Sequence, residues 1–179
     1  TYYPSGTRTS FLFAAGLACS GYVNGDLRTA WMASASRIRE TQPGKWGMDP
    51  ADPKAKFYIV DNNDGPGSQA YIDWADAVAL GADFVDLDGD GIYDPYVDRP
   101  DLIGDKTIWC VYNDGTDLSA RTPRLQTAPL GLEVHQSVWA FNRGDALGDI
   151  IFFRYKLINA TDNDINDLIF SNWSGPDLG

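Results

Sequence analysis

The stretch DIIFFRYKLIN, residues 149–159, is the clearest strand signal in the sequence. Apolar and polar side chains alternate along it with the period of two that is typical of a half-buried β-strand. One predicted face carries Ile151, Phe153, Tyr155 and Leu157, and the other carries Arg154 and Lys156. This alternation predicts a strand with two faces of different polarity.

The residues after this strand predict that the chain turns back. ATDNDIND, residues 160–167, is rich in turn formers, and LIFSNW, residues 168–173, has the composition of a strand. We expect residues 168–173 to return as the hairpin partner of residues 149–159. Such a terminal hairpin is typical of an immunoglobulin-like or fibronectin-like domain.

Several other short strands are predicted, separated by turn residues. Asn24-Gly25 is the strongest hairpin signal, and it joins the apolar run Phe11–Ala18 to a returning strand, Leu27–Met32. Residues 57–60, 107–114 and 132–142 are further strand candidates. The predicted fold is therefore mainly β, an antiparallel β-sandwich with long Asp/Gly-rich loops.

One helix is predicted, over SQAYIDWADAVALG, residues 68–81. Ser68 is a suitable N-cap residue because its hydroxyl can accept a hydrogen bond from a free N–H of the first turn. Gly81 is a suitable C′ residue because it adopts a left-handed conformation at little cost. The predicted helix thus lies between these two residues.

The charge of the chain limits its partners. Fourteen Lys and Arg against 25 Asp and Glu give a net charge of 14 − 25 = −11. This field repels phosphate, so nucleic acid and anionic membranes are disfavoured as partners. No apolar run approaches the roughly 20 residues of a membrane-spanning helix, so we expect no membrane insertion.

The acidic residues are almost all aspartate. Only Glu40 and Glu133 are glutamate, which leaves 25 − 2 = 23 aspartates. Aspartate favours turns, caps and oxygen sites for hard cations, whereas glutamate favours helices. The composition indicates a loop-rich surface suited to calcium or to a salty exterior.

The stretch DLDGDGIYDPYVDRPD, residues 86–101, concentrates six of these aspartates. Its spacing matches a calcium loop, with carboxylates at positions 1, 3, 5 and 9, a backbone carbonyl at 7 and glycine at 6. Position 12 is Val97, and Asp98 one residue later could replace the missing ligand. The predicted calcium ligands are Asp86, Asp88, Asp90, Ile92 through its carbonyl, Asp94 and Asp98.

This calcium interpretation has alternatives. Asp94-Pro95 ends the loop without a helix, so it is not a full EF-hand and looks more like the loops of thrombospondin type 3 repeats. A solvated acidic turn without an ion is the other possibility. Magnesium is disfavoured because it dehydrates reluctantly. Residues 61–68, DNNDGPGS, could form a second oxygen site, although a plain turn is favoured.

Other residues that could carry chemistry give weaker signals. Glu133 and His135 share one face of a predicted strand and could do acid–base work, but a polar pair without catalytic function is favoured. Cys19 and Cys110 could form a disulfide or remain two separate thiols. Five tryptophans could stack on sugars but are expected in the core: Trp46, Trp74, Trp109, Trp139 and Trp173.

The chain as a whole resembles a family of large secreted bacterial proteins exported by the type IX secretion system. The resemblance rests on motifs in a fixed order: FLFAAGLACSGYVNGDLRTA, PGKWG, DGDGIYDPYVDRPDLIGDKTIWCVYND, APLGLEVHQSVWAFNR, DIIFFRYKLIN and SNWSGPDLG. It implies an extracellular, cell-surface-associated β-rich module of a Gram-negative bacterium, usually followed by further domains. The family commonly has Asp-Pro-Asp-Leu-Gly and more aspartates where this chain has Gly175–Gly179, which indicates a fragment of a longer protein.

These observations lead to a domain and function hypothesis. Residues 1–106 are expected to be an N-terminal β-rich region with the calcium loop, and residues 107–179 to be sandwich strands of the same compact unit. The leading hypothesis is a secreted, calcium-stabilised, non-enzymatic module with a structural or adhesive role. The alternatives are a subunit of an extracellular filament or sheath and a carbohydrate-binding or carbohydrate-processing protein. The expected partners are other surface proteins or copies of the chain, with glycans as a further class.

Overall fold

A computed structural model describes residues 12–31, 41–121 and 127–176. The fold is mainly β, with 43% strand and 10% helix in several antiparallel sheets, which is consistent with a β-sandwich. The predicted mainly β, antiparallel fold class is thereby confirmed. Parts of three sequence predictions lie outside the described residues: Phe11, Met32 and residues 177–179.

The described residues form ten strands, one α-helix and a short 3₁₀ helix at Ala146–Asp149. The helix α1 spans Gln69–Ala79. The strands are β1 (Leu12–Val23), β2 (Asp26–Trp31), β3 (Gln42–Pro43), β4 (Tyr58–Asp61), β5 (Phe84–Val85), β6 (Arg99–Pro100), β7 (Lys106–Asn113), β8 (Leu132–Ala140), β9 (Ile151–Asn159) and β10 (Ile165–Pro176).

The chain divides into two compact units, and the first draws on segments within residues 1–42, 113–132 and 159–179. It contains a three-stranded antiparallel sheet in the order β10-β1-β2. The turn between β1 and β2 has positive φ at both central residues, 54° at Asn24 and 84° at Gly25. These angles are those of the type I′ turn that Asn-Gly favours, so the predicted hairpin is confirmed.

The second unit is formed by residues 43–112 and 133–158. Its main sheet has the strand order β3-β7-β8-β9, with β4 pairing antiparallel to β7, and β5 and β6 form a separate two-stranded ladder. Helix α1 lies against β4. The core between them contains Tyr58, Val60, Tyr71, Trp74, Ala77, Leu80, Ala82, Trp109 and Val111.

The ends of α1 are those predicted from the sequence. The Ser68 hydroxyl accepts a hydrogen bond from the N–H of Tyr71, as an N-cap residue does. At the other end Gly81 has φ +104°, and its N–H donates to the carbonyl of Val78. The N–H of Ala82 donates to the carbonyl of Ala77, so the helix ends in a Schellman motif.

The predicted hairpin between residues 149–159 and 168–173 is wrong. Strand β10 pairs with β1, with Phe170 opposite Cys19 and Ser171 opposite Ala18, whereas β9 lies beside β8. Turn propensity in the connecting residues shows that the chain changes direction there but does not identify the pairing partner. Strand β10 instead pairs along its length with β1, which is distant in the sequence, and both strands are 12 residues long.

The two faces of β9 also differ from a simple alternation of buried and exposed side chains. Ile151 and Phe153 are 61% and 54% exposed. Phe152, on the opposite face, is half-buried and stacks on Trp139 with ring centroids 5.6 Å apart and an interplanar angle of 9°. The apolar residues that made this strand conspicuous in the sequence therefore do not all face the core.

Candidate metal site

Strands β5 and β6 bring the two ends of the acidic stretch together. Val85 pairs with Arg99 and Phe84 pairs with Pro100, which closes residues 86–98 into a loop. We call residues 86–98 the acidic loop. A two-residue ladder is too short to be stable alone, so the position of the loop depends on its contacts with the rest of the second unit.

The acidic loop is attached to the second unit by aromatic and backbone contacts. The Tyr93 ring packs edge-on against Phe84 at 5.4 Å, and its hydroxyl donates to the carbonyl of Tyr71 in α1 at 2.9 Å. The N–H of Gly67 donates to the carbonyl of Pro95 at 2.8 Å. These contacts hold the loop beside the N-terminal half of the helix.

Within the loop, aspartates accept hydrogen bonds from nearby backbone N–H groups. Asp86 accepts from Gly89 at 2.7 Å and from Gly91 at 2.8 Å. Both glycines have positive φ, 80° and 77°, which side chains rarely adopt. The glycines thus allow the backbone to wrap around the Asp86 carboxylate.

Asp98 is the fully buried carboxylate of the loop, with 0% exposure. One oxygen accepts from the N–H of Leu87 and the other from the N–H of Asp94, both at 2.8 Å. These two bonds tie the start, the middle and the end of the loop to one side chain. Each oxygen keeps a further lone pair that neither bond uses.

The structure brings Asp86, Asp88 and Asp98 together, with one carboxylate oxygen of each within 4.8 Å of the others. Three carboxylates at this separation could hold a metal ion. Asp98 is the residue that the sequence offered in place of Val97, and it belongs to the group. The predicted ligands Asp90 and Asp94 are not members of this group, and the backbone carbonyl of Ile92 stays a prediction.

Two of the remaining predicted ligands make only local bonds in the described structure. Asp90 accepts from the N–H of Ile92 at 2.7 Å, and Asp94 accepts from the N–H of Tyr96 at 2.8 Å. Both bonds span two residues and form the Asx turns that aspartate favours. These two side chains therefore stabilise turns within the loop.

The electrostatics of the triad are those of carboxylates close to one another. The N–H groups of Gly91 and Gly89 hold the pKa of Asp86 below its usual value. At Asp88 the N–H of Asp90 lowers the pKa, but desolvation and the neighbouring carboxylates outweigh that bond and the pKa is raised. In the described part of the chain no Lys, Arg or His forms an ion pair with the triad.

The donor set of the triad fits a hard cation. All of its side-chain ligands are carboxylate oxygens, which calcium and magnesium prefer, and neither imidazole nor thiolate is present. Three carboxylates supply up to six oxygens, and water could complete the coordination of an ion that takes about six to eight. The arrangement can therefore bind a cation, whose charge would neutralise the three carboxylates.

The second oxygen site considered for residues 61–68 takes the form of a turn. Asp61 accepts from the N–H of Asn63, and Asp64 accepts from the N–H of Asp61, each at 2.9 Å. Among the residues that the structure describes, only the Asp86–Asp88–Asp98 triad gathers three possible metal-ligating side chains.

The tryptophans and cysteines are placed by packing. Trp74 and Trp109 are buried at 1% and 4% exposure, and the other three candidates for sugar stacking, Trp46, Trp139 and Trp173, are half-buried.

Cys19 and Cys110 are free thiols. Burial raises the pKa of Cys19 to about 11, with the Asp114 carboxylate adding to it, and burial raises that of Cys110 to about 12.

One polar centre of the first unit was not predicted. Asp114 and Arg121 are both fully buried and form an ion pair at 3.2 Å. Asp114 also accepts from three successive backbone N–H groups, those of Leu130, Gly131 and Leu132, at 2.6 to 3.0 Å. Nothing in the spacing distinguishes Asp114 from the other aspartates, since its partners are 7 to 18 residues away.

The guanidinium of Arg121, like the carboxylate of Asp114, has several hydrogen-bond partners in the backbone. It donates to the backbone carbonyls of Asp114, Thr116, Thr29 and Thr127 at 2.7 to 3.2 Å. The pair therefore connects β2 to the two segments that precede β8. Its role is structural, because no part of either side chain is exposed.

Comparison with known proteins adds no family to these observations. No family model matches the chain, and no curated protein or solved structure shows significant similarity to it. No helix in the described ranges is both long and apolar enough to cross a membrane. The functional proposal below therefore rests on the residues and their geometry.

Proposed function

We propose that this chain is a calcium-stabilised, non-enzymatic module of a secreted bacterial surface protein, with a structural or adhesive role. The ion is held by Asp86, Asp88 and Asp98 and fixes the acidic loop. The extracellular location and the bacterial source are supported by the motifs that resemble proteins of the type IX secretion system. The ion is supported by the geometry of one carboxylate.

That carboxylate is Asp98, and it carries the proposal. It has no exposed surface, it lies within 4.8 Å of two other carboxylate oxygens, and no cationic side chain of the described ranges pairs with it. A buried charge is costly unless it is paired or coordinates a metal. The backbone N–H groups of Leu87 and Asp94 offset part of the cost of burying the Asp98 charge. A bound cation would offset the rest.

Calcium is the cation that best fits this loop. Calcium accepts irregular oxygen geometry, whereas magnesium demands a near-ideal octahedron and keeps most of its water. The triad is open to solvent on the side of Asp88, which is exposed, so water can complete the shell. Extracellular calcium modules bind with dissociation constants of about 0.1 to 1 mM, a range that a site of three carboxylates can reach.

The test is a calorimetric melting scan of the full chain with calcium and with chelator. We expect calcium at about 1 mM to raise the melting temperature, because an ion that binds only the folded state stabilises it by mass action. Chelator should reverse the rise, and magnesium at the same concentration should have a smaller effect. Isothermal titration of the metal-free chain with calcium gives the stoichiometry, which we expect to be one.

Asp88→Asn and Asp90→Asn form a matched pair for this test. Both remove one negative charge from an exposed position of the acidic loop, but only Asp88 belongs to the triad. We expect Asp88→Asn to abolish most of the calcium-dependent shift and Asp90→Asn to keep it. An equal loss in both variants would assign the effect to net charge, and no shift in the unmodified chain would reject the calcium site.

A second candidate function is a subunit of an extracellular filament or sheath. The 12-residue strand β10 pairs with β1, and its other edge has no partner strand within the described ranges. Its Ile169 and Phe170 are 66% and 62% exposed. Long apolar edge strands are templates for pairing with another chain.

Light scattering and electron microscopy of the native material test this candidate. Assembly through the β10 edge predicts that Ile169→Lys reduces the assembled fraction, because an edge lysine blocks strand pairing. Phe153→Lys, at an exposed apolar position of β9, is the control and should leave assembly unchanged. A native protein that stays monomeric at all concentrations would exclude the filament.

A further inference from the structure

The single histidine of the chain is buried between two hydrogen-bond acceptors. His135 lies in β8 and is 6% exposed. Its Nδ1 is 3.1 Å from the carbonyl oxygen of Gly81, just past the end of α1. Its Nε2 is 2.7 Å from Oε1 of Glu133, two residues earlier in the same strand. Both ring nitrogens therefore face an oxygen.

These contacts constrain the number of protons on the pair. A neutral imidazole carries one N–H, so beside an ionised Glu133 one ring nitrogen would direct a lone pair at an oxygen. The carbonyl of Gly81 cannot donate, and a carboxylate donates only when it is protonated. Both contacts are hydrogen bonds only when the pair holds one proton more than a neutral ring beside an ionised carboxylate.

The environment favours this proton on the ring rather than on the carboxyl group. The second oxygen of Glu133 accepts from the N–H of Trp46 at 2.8 Å, which favours the ionised carboxylate. The Gly81 carbonyl stands at the C-terminal end of α1, where the helix dipole favours a cation. A charge-assisted bond also suits the short distance of 2.7 Å.

Apart from Glu133, the contacts that the ring makes within the described ranges are with an aromatic ring and a backbone carbonyl. From β7 the ring meets Trp109 edge-on at 5.5 Å, and at the end of α1 it meets the carbonyl oxygen of Gly81. In the turn at residues 44–48, the N–H of Trp46 donates to Glu133. The charged residue of that turn is Lys45. Three charged side chains of α1 and β7 form ion pairs away from the ring: Asp73 with Lys56, Asp76 with Lys54 and Lys106 with Asp61.

We propose that Glu133 and His135 form a buried imidazolium–carboxylate pair that latches the end of α1 and the turn at Trp46 onto β8. One proton holds three bonds together, from His135 to Gly81, from His135 to Glu133 and from Trp46 to Glu133. Without this proton the ring would lose its bond to one of the two oxygens, and the latch would open.

The backbone at Gly81 shows that the latch is closely fitted. Gly81 has φ +104°, and a Cβ atom there would collide with Cε1 of His135. No other residue type could occupy this position without moving the ring or the helix end. The ring thus lies directly against the residue that ends the helix.

Nitrogen NMR of the uniformly ¹⁵N-labelled full chain tests the protonation state directly. The chain has one histidine, so the imidazole region of a long-range ¹H–¹⁵N spectrum contains one ring. We expect both ring nitrogens of His135 to carry protons at about pH 7.5, because each of them faces an oxygen acceptor. A ring with one protonated and one free nitrogen would overturn the proposal.

Glu133→Gln is the matched variant, because it keeps the shape of the side chain and removes its charge. A glutamine can donate its amide N–H to Nε2, so we expect the ring to become neutral at the same pH. Hydrogen exchange gives a second measurement at constant pH. In Glu133→Gln the Trp46 N–H should exchange about tenfold faster than in the unmodified chain, whereas the N–H of Tyr71 at the other end of α1 should exchange at the same rate in both proteins. If the two amides respond alike, the pair is not a latch.

Discussion

The acidic loop and the buried Asp114–Arg121 pair, which we call the Asp114 centre, compensate the charge of buried carboxylates in different ways. At Asp114, one buried carboxylate faces three backbone N–H groups and the guanidinium of Arg121. In the acidic loop, three carboxylates share backbone N–H groups and have no cationic side chain of the described ranges beside them. At Asp114 the protein itself supplies the groups that balance the negative charge. In the acidic loop an ion or water has to supply part of that balance.

The comparison shows that burial of an aspartate does not by itself indicate a metal. Asp98 and Asp114 are both 0% exposed. They differ in the balance of charge around them, because Asp114 has a permanent cation as its partner and Asp98 has two further carboxylates. The Asp114 centre should therefore stabilise the fold at any calcium concentration, whereas the acidic loop should respond to calcium.

Removing the carboxylate of Asp114 should have the largest effect. Asp114→Ala leaves the charge of Arg121 buried and three N–H groups without an acceptor, which should cost about 3 to 5 kcal/mol of unfolding free energy. Denaturant unfolding measures this loss, and calcium should not restore it. Asp117→Ala, at an exposed position nearby, is the control and should change stability by less than about 0.5 kcal/mol. A loss below about 1 kcal/mol for Asp114→Ala would contradict the structural role.

Two glycines with the same backbone geometry should respond differently in the two regions. Gly131 has φ +92°, and a Cβ there would lie 2.6 Å from Cγ2 of Thr161. Gly131→Ala should cost about 2 to 5 kcal/mol, the sum of left-handed strain and overpacking. Gly91 has φ +77° and open space around its missing Cβ, so Gly91→Ala should cost only the strain, about 1 to 2 kcal/mol. Equal losses in denaturant unfolding would show that the packing at Gly131 contributes nothing.

Asp98→Asn should have a moderate effect that does not require an ion. An asparagine oxygen can accept from Leu87 or from Asp94 but not from both, so one N–H loses its acceptor at a cost of about 1 to 3 kcal/mol. The loss should appear in denaturant unfolding with chelator present and should grow when calcium is added to both proteins. If the variant is destabilised only in calcium, Asp98 acts solely as a ligand and its two backbone bonds are unimportant.

The sequence predicted well those features that depend on neighbouring residues. The caps of α1 at Ser68 and Gly81 and the turn at Asn24-Gly25 were all predicted from residues within a few positions. Their geometry is fixed by the conformational preferences of glycine and asparagine and by the reach of a serine hydroxyl. Such preferences act on the chain before any tertiary contact forms.

Features that depend on distant partners were not predicted. The pairing of β10 with β1 joins residues about 150 positions apart, and local turn propensity contains no information about it. The same limit applies to Asp114, whose partners are set by the tertiary fold. In the acidic loop the spacing predicted six ligands, and three of them, Asp86, Asp88 and Asp98, have carboxylate oxygens that lie together in the structure.

The smallest expected effect is a difference between the titrations of Asp86 and Asp114 in the metal-free chain. The N–H groups of Gly91 and Gly89 lower the pKa of Asp86 below 3.8, whereas burial raises that of Asp114 above 3.8 and outweighs its N–H donors and Arg121. Carboxyl ¹³C NMR should show Asp114 taking up its proton first as the pH falls, and Asp86 last.

The two shifts have opposite consequences for stability. Because the pKa of Asp86 is lowered on folding, its stabilising contribution is present above about pH 4 and is lost as the pH falls through its folded pKa. Because the pKa of Asp114 is raised, the folded state takes up this proton more readily than the unfolded state, so this single titration favours folding as the pH falls. If Asp86 and Asp114 titrate at the same pH, the N–H groups around the two carboxylates have the same effect on the pKa. Arg121 would then be the only difference between the Asp114 centre and the acidic loop.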